Sequence, residues 1–237
     1  MDEAEFDRFA DEYRLLHARN IRASGEPPEF FAEYKVADVA RLVSDGTLSQ
    51  PTTILDFGAG VGTSVPYFKK FFPRATLTCL DVSRRSLGLG RALFEDAAEF
   101  VHFDGKTIPY ARGYFDFAFV ACVLHHIPTA EHRGILNELK RILRPGGGLV
   151  LFEHNPYNPL TVRAVKGCPF DENAVLIRPG RLQRVAVAAG FAKVTIRYRI
   201  FFPHFLRSLR PLERRLTRLP LGAQYCVHAR KDALDDR

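Results

Sequence analysis

The stretch Ile54-Leu55-Asp56-Phe57-Gly58-Ala59-Gly60-Val61-Gly62 decides the fold. A short apolar run delivers an acid, then three alternating glycines, to the start of a helical pattern. Glycine lets the backbone take positive φ and approach a ligand closely, and the helix start adds fixed N–H donors. A dinucleotide fingerprint, Gly-x-Gly-x-x-Gly, would place its third glycine at position 63, where this chain has Thr63. Asp56 before the glycines and the early third glycine, Gly62, set the motif apart from that fingerprint.

Outward from this loop the pattern alternates. Strands are predicted at 53–57, 75–80, 99–103, 115–122 and 149–153. Helices are predicted from the glycine loop to about residue 72, over 83–96 and over 129–143, the last stopped by Arg144-Pro145-Gly146-Gly147-Gly148. Such spacing predicts an α/β fold, a mostly parallel sheet with helices on both faces. Residues 154–179 are rich in Pro and Asn and read as an insertion or lid. A helix over 180–189 and strands over 193–200 and 223–230 follow, the last two placed to pair antiparallel at a sheet edge. Upstream, 3–19 reads as an acidic amphipathic helix and 29–43 as a second helix. We divide the chain into a helical N-terminal cap, 1–50, and a catalytic domain, 51–237, with insertions at about 154–179 and 201–222.

Composition narrows the classes. At 46% apolar and 26% charged, the 237 residues are those of a globular protein, which excludes wholesale disorder. The longest apolar run, Phe117 to Leu124, is far short of the roughly 20 residues a spanning helix needs. The chain starts Met-Asp-Glu-Ala-Glu, acidic where a signal or transit peptide is basic, so a cytoplasmic location is expected. Cys79, Cys122, Cys168 and Cys226 are widely spaced, which points to reduced thiols rather than a disulfide framework, and no spacing points to a metal. The net charge of +7 comes from 26 Arg against 8 Lys, and we read that bias as compositional rather than as a nucleic-acid surface.

Two further acids close predicted strands. Asp81, followed by Val82, lies 23 residues past Gly58, where a carboxylate accepts both hydroxyls of a ribose. Asp104, followed by Gly105, is placed to accept an adenine amino proton, with a backbone amide nearby. Each acid alone reads as a helix N-cap. Jointly they form a nucleoside site at the carboxyl edge of a parallel sheet.

With LDFGAGVG, LTCLDVS, FVHFDGKTIPY, YFDFAFVACVLHHIP and LKRILRPGGGLVLFE, the chain resembles the class I S-adenosylmethionine-dependent methyltransferases over residues 53–153. The resemblance implies a Rossmann-like seven-stranded sheet with an antiparallel last strand. It implies that Gly58, Ala59 and Gly60 line the methionine part of S-adenosylmethionine, that Asp81 holds the ribose, and that Asp104 with Gly105 meets the adenine. Ala121 and Cys122 would face the methionine amine or sulfonium, and Tyr13 would close over the cofactor. S-adenosylhomocysteine is then the product.

In-line displacement from a sulfonium asks the protein mainly to position two reactants, but a hydroxyl acceptor also needs a base. His125 and His126 follow strand four, and imidazole has a suitable pKa. Strand alternation would put one on each face, and we prefer His126 as base. Glu153 either orients that imidazole, accepts the proton, or is a solvated strand-end carboxylate. His154 and Tyr157 rank lower. Asn155-Pro156-Tyr157 resembles the Asn/Asp-Pro-Pro-Tyr signature of methyltransferases acting on base amines, but follows strand five and has one proline; we read it as a rigid turn beside the acceptor pocket. The Arg-rich stretch 201–219 reads as a surface helix with one apolar face on the sheet edge, broken by Pro203, Pro211 and Pro220, with peripheral membrane contact as its other reading.

The expectation is methyl transfer from S-adenosylmethionine to a small-molecule acceptor, at oxygen. The alternatives are a lipid-linked, membrane-surface or RNA acceptor, and a non-catalytic S-adenosylmethionine-binding protein. An oxidoreductase is disfavoured by Thr63, and nucleic acid is disfavoured as a partner because no binding module is present.

Overall fold

Strand β1 (Thr53–Phe57) is buried from its second residue onward, as a strand covered on both faces must be. The structure, a computed structural model, describes Asp7 and residues 19–235. Of the helix expected over 3–19, all but Asp7 and Arg19 lies outside the described residues, Tyr13 included. In chain order the elements are α1 (Pro28–Ser44), β1, α2 (Val65–Phe71), β2 (Thr76–Asp81), α3 (Arg84–Phe94), β3 (Glu99–His102), β4 (Phe115–Ala121), α4 (His132–Ile142) and β5 (Leu143–His154). Then come α5 (Pro159–Lys166), α6 (Pro179–Ala188), β6 (Ala192–Arg199), α7 (Glu213–Leu216) and β7 (Gln224–Arg230).

The seven strands form one sheet in the order β3-β2-β1-β4-β5-β7-β6, with β7 antiparallel to both of its neighbours and the other pairs parallel. Alternate residues of each strand feed opposite layers. Leu55, Phe57, Ala118, Val120, Leu149 and Leu151 pack against Ile135, Leu136, Leu139 and Ile142 of α4 and Leu182 of α6. Ile54, Cys79, Phe117, Phe119, Val150 and Phe152 face the other way, onto Val36 and Val39 of α1 and Phe68 of α2. The period of two in the strands and the 3.6-residue period of α4 therefore explain both layers. Two caps fix helix starts: Ser83 Oγ accepts from Ser86 N at 3.0 Å, and Asn158 Oδ1 from Thr161 N at 3.0 Å.

The strand order reverses between β1 and β4, which opens a crevice at their carboxyl ends. Within the 154–179 stretch, read as an insertion or lid, Asn158 and Pro159 start α5 and a 3-10 turn, Pro169–Asp171, follows. One expectation differs. The 201–219 stretch does not bury an apolar face on the sheet edge: its 3-10 helix, His204–Leu212, and α7 have no buried residue. Instead it is tied to the start of α1 and the residues before it, where Arg210 pairs with Glu26 at 2.5 Å and lies 4.6 Å over the Phe30 ring. Its prolines and the Glu213 carboxylate, which takes the N–H groups of Phe201 and Phe202 at 3.0 Å, hold it as a folded-back strap.

Candidate active site

The glycine loop is pinned to β2: Gly58 N and Ala59 N donate to Leu80 O at 2.7 and 3.2 Å. Gly58 has φ +72, and a Cβ there would stand 2.4 Å from Val123 Cγ2, so only glycine lets the loop pass under the end of β4. Gly60, at φ +54, has no atom within 4 Å of its Cβ position and faces open space. Its N–H donates to Asp81 Oδ2 at 2.8 Å, while Ser83 N donates to Oδ1 at 2.9 Å. Burial raises the Asp81 pKa, and the N–H donors of Ser83 and Gly60 oppose that rise. Behind the loop, Asp56 accepts the Ser64 hydroxyl; burial pushes its pKa up to about 7 against that bond. Asp104 is exposed beyond β3, and its Oδ1 accepts the N–H groups of Lys106 and Thr107 at 2.8 and 2.9 Å, which lower its pKa.

The chain leaves β4 at Cys122, a non-glycine residue at φ +58, and enters the 3-10 turn Leu124–His126. The turn ends strand alternation, so His125 and His126 lie on one side, ring centroids 4.2 Å apart, rather than on opposite faces. His132 of α4 clamps the turn, its Nε2 lying 2.9 Å from both Leu124 O and Ile127 O. Glu153 is neither solvated nor paired with His126. It is 0% exposed, its Oε1 accepts Leu124 N at 2.8 Å, and its Oε2 lies 2.6 Å from His125 Nδ1.

Asp171 supplies a second carboxylate, its Oδ1 lying 3.5 Å from His125 Nε2 and 3.4 Å from His126 Nε2. Burial alone would lower the His125 pKa, but Glu153 and Asp171 reverse that and raise it to about 10. Burial, and then the His125 cation, lower His126 and His154 to about 4 each. One imidazolium is therefore flanked by two neutral imidazoles.

A single cavity of ≈ 970 Å³ joins the two ends. Of the residues expected from the sequence, Asp56, Gly58, Ala59, Gly60, Asp81, Val82, Ala121, Cys122, His125 and His126 line it; Asp104, Gly105 and Glu153 do not. The sequence reading missed Lys35, Asp171 and Gln224, which also line it. Lys35 Nζ donates to Cys122 Sγ at 3.6 Å, and Gln224 accepts the Tyr34 hydroxyl. No local spacing marks them, since they come from α1, the 3-10 turn after α5 and the start of β7. Asn155 is buried outside the cavity, where its Nδ2 donates to Gly222 O at 2.7 Å and its Oδ1 accepts Tyr157 N at 3.1 Å, the rigid turn read from the sequence.

Comparison with known proteins agrees with this architecture. Residues 55–151 match the sequence model of the family described as "Methyltransferase domain". The chain is 28% identical over 153 residues to the demethylmenaquinone methyltransferase of Thermotoga maritima, covering 65% of this chain and 61% of that protein. It is 28% identical over 119 residues to the ubiquinone/menaquinone biosynthesis C-methyltransferase UbiE of Hahella chejuensis, covering 47% of each. The chain thus spans under two thirds of the length of these relatives. A crystal structure of a Thermotoga maritima S-adenosylmethionine-dependent methyltransferase, described as a possible histamine N-methyltransferase, superposes with a TM-score of 0.67 at 17% identity, covering 97% of this chain and 99% of that one, which shows the fold. By its sheet order and this superposition the chain has the fold of the S-adenosylmethionine-dependent methyltransferases, and residues 55–151 carry the match to the methyltransferase domain.

Proposed function

We propose that the chain binds S-adenosylmethionine across the ends of β1, β2 and β4 and transfers its methyl group to the oxygen of a small hydroxyl-bearing acceptor. The observation that carries this reading is the continuity of the cavity, from the Gly60–Asp81 end to the histidine end. The donor end fits such a cofactor. Each Asp81 oxygen accepts one backbone N–H and keeps lone-pair capacity for a ribose hydroxyl, and Gly60 leaves the space beside it clear. When bound, the cofactor supplies an electrophilic methyl on a sulfonium. Asp104 and Gly105 keep the adenine assignment, with Asp104 Oδ1 capping the Lys106 and Thr107 N–H groups and Oδ2 the oxygen offered to the adenine amino group. The N-terminal segment, 1–50 with Tyr13, is assigned as the cover over this end.

At the other end the acceptor O–H must lose its proton. Glu153 is enclosed and His125 is already cationic, so of the three sequence candidates His126 is the neutral imidazole on the cavity wall. Asp171, 3.4 Å from His126 Nε2, stabilises the imidazolium that forms, and His154 is a second neutral imidazole beside it. His125 and Glu153 position the turn that carries His126.

The relatives' names favour a second reading, methylation at a ring carbon of a quinol-type acceptor, where the same O–H deprotonation makes the carbon nucleophilic. Phe205 and Leu160 line the cavity yet are 79% and 75% exposed, so they lie at its mouth, with Arg207 nearby on the strap. That arrangement supports entry of an apolar acceptor from an anionic membrane surface. No helix among the described residues is long and apolar enough to cross a membrane. Titration with S-adenosylhomocysteine, followed by a screen of phenolic and quinol acceptors with mass detection of the product, tests the proposal. Absence of S-adenosylhomocysteine binding overturns it, and a +14 product whose methyl is shown by NMR to sit on a ring carbon rather than on oxygen selects the second reading.

A further inference from the structure

The histidine end holds more donors than one proton transfer requires. Asp171 Oδ1 is buried, with its side chain 2% exposed, and no donor meets it in hydrogen-bond geometry. A buried carboxylate oxygen left in that state is costly. The Nε2 atoms of His125 and His126 lie 3.5 and 3.4 Å from it, and the three atoms all lie within 4.8 Å of one another. Ligands at about 2.0–2.1 Å in a tetrahedral array stand about 3.3–3.4 Å apart. Adjacent ligands around an octahedral ion at the same radius stand about 2.9 Å apart, a poorer match to both edges. On the far side of His125, Nδ1 is bound to Glu153 at 2.6 Å, the carboxylate–histidine pairing that fixes the tautomer and leaves the Nε2 lone pair for an ion. Glu153 and Asp171 bring two buried negative charges, and a divalent ion balances both with His125 neutral.

On the reading of this cavity as a methyl-transfer site, we propose that His125, His126 and Asp171 hold a zinc-type divalent ion whose fourth position takes the acceptor oxygen. The ion changes the division of labour. His126 becomes a ligand, the acceptor O–H bond breaks as its oxygen binds the ion, and the proton passes to the His154 imidazole, which lines the same cavity with its ring centroid 5.1 Å from that of His125. The oxygen–carbon bond then forms as the carbon–sulfur bond breaks, the electron pair leaving with the thioether, and nothing is oxidised or reduced.

The test titrates chelator-treated protein with Co(II), read by its visible absorption, and with Zn(II), read by calorimetry. S-adenosylhomocysteine is titrated in parallel. One equivalent of Co(II) with the intense bands of tetrahedral coordination is expected. Zn(II) affinity should fall at least tenfold in Asp171→Asn and His126→Gln, and about 10–100-fold in Glu153→Gln. S-adenosylhomocysteine affinity should stay within threefold in all three, which also shows that they fold. Absence of stoichiometric binding by the wild type, weak octahedral bands, or variants that bind as well as the wild type would each overturn the metal site. The parallel titration keeps that failure separate: intact S-adenosylhomocysteine binding leaves the methyltransferase reading standing, and its loss in the wild type removes both.

Discussion

Replacing Asp81 by asparagine removes a charge that the fold has gone to some expense to bury. The carboxylate is 8% exposed and accepts Gly60 N at 2.8 Å and Ser83 N at 2.9 Å, one on each oxygen. An amide of the same shape has only one oxygen, so its NH₂ must face one of those two N–H groups, and it offers a single neutral acceptor to the two ribose hydroxyls. Hydrogen bonds to a charged group contribute about 1.5–3 kcal/mol each. Losing one and weakening the other costs S-adenosylhomocysteine binding about 3 kcal/mol, or on the order of 100-fold in Kd. Calorimetric titration measures this directly, with the thermal midpoint of each protein as a fold control. Gly60→Ala is the companion: its methyl meets no protein atom within 4 Å, so it strains one left-handed residue while obstructing the ligand space. Asp81→Asn binding within threefold of the wild type would refute the ribose assignment, because no other carboxylate on the described cavity wall is held by the glycine loop.

Other substitutions probe different links. Gly58→Ala places a methyl 2.4 Å from Val123 Cγ2 at φ +72, and overpacking of this kind costs about 1–3 kcal/mol, seen as a lower urea midpoint. His126→Gln should lower kcat about 10²–10⁴-fold with S-adenosylhomocysteine affinity unchanged; a loss of affinity equal to the loss of rate would place His126 in the donor site instead. Because the folded His125 pKa is raised to about 10, it binds a proton that the unfolded chain has lost above about pH 6.5. Its stabilising effect is thus full below pH 6.5 and declines as pH rises towards 10. Between pH 6.5 and about 8, before the buried thiols add their own decline, the chelator-treated wild type should lose about 1–2 kcal/mol relative to chelator-treated Glu153→Gln, and parallel urea midpoints across that range would show that His125 is not cationic in the metal-free protein. Phe205→Ser should reduce co-sedimentation with anionic vesicles without changing S-adenosylhomocysteine binding, and unchanged co-sedimentation would exclude the cavity mouth as the membrane contact.

What was legible from the sequence is what short-range chemistry encodes. The glycines at 58 and 60 are required by backbone conformations that the motif itself announces, and Asp81 follows from the tip of an apolar strand. Both helix layers follow from the two periodicities, and the antiparallel pairing of β6 with β7 from the alternating tail. The acceptor end was only half legible. Two histidines after β4 were visible, but their common orientation depends on the turn at Cys122, where φ +58 ends the alternation that a strand would have continued. The tertiary structure alone decided which carboxylates meet them. Glu153 reaches His125 because the register of β4 with β5 sets Ala121 beside Phe152, and Asp171 arrives on a 3-10 turn 45 residues beyond His126. A sequence pattern reports the local backbone; the path of a connecting segment, and the charges it brings into one buried volume, are fixed by the packing of the whole chain.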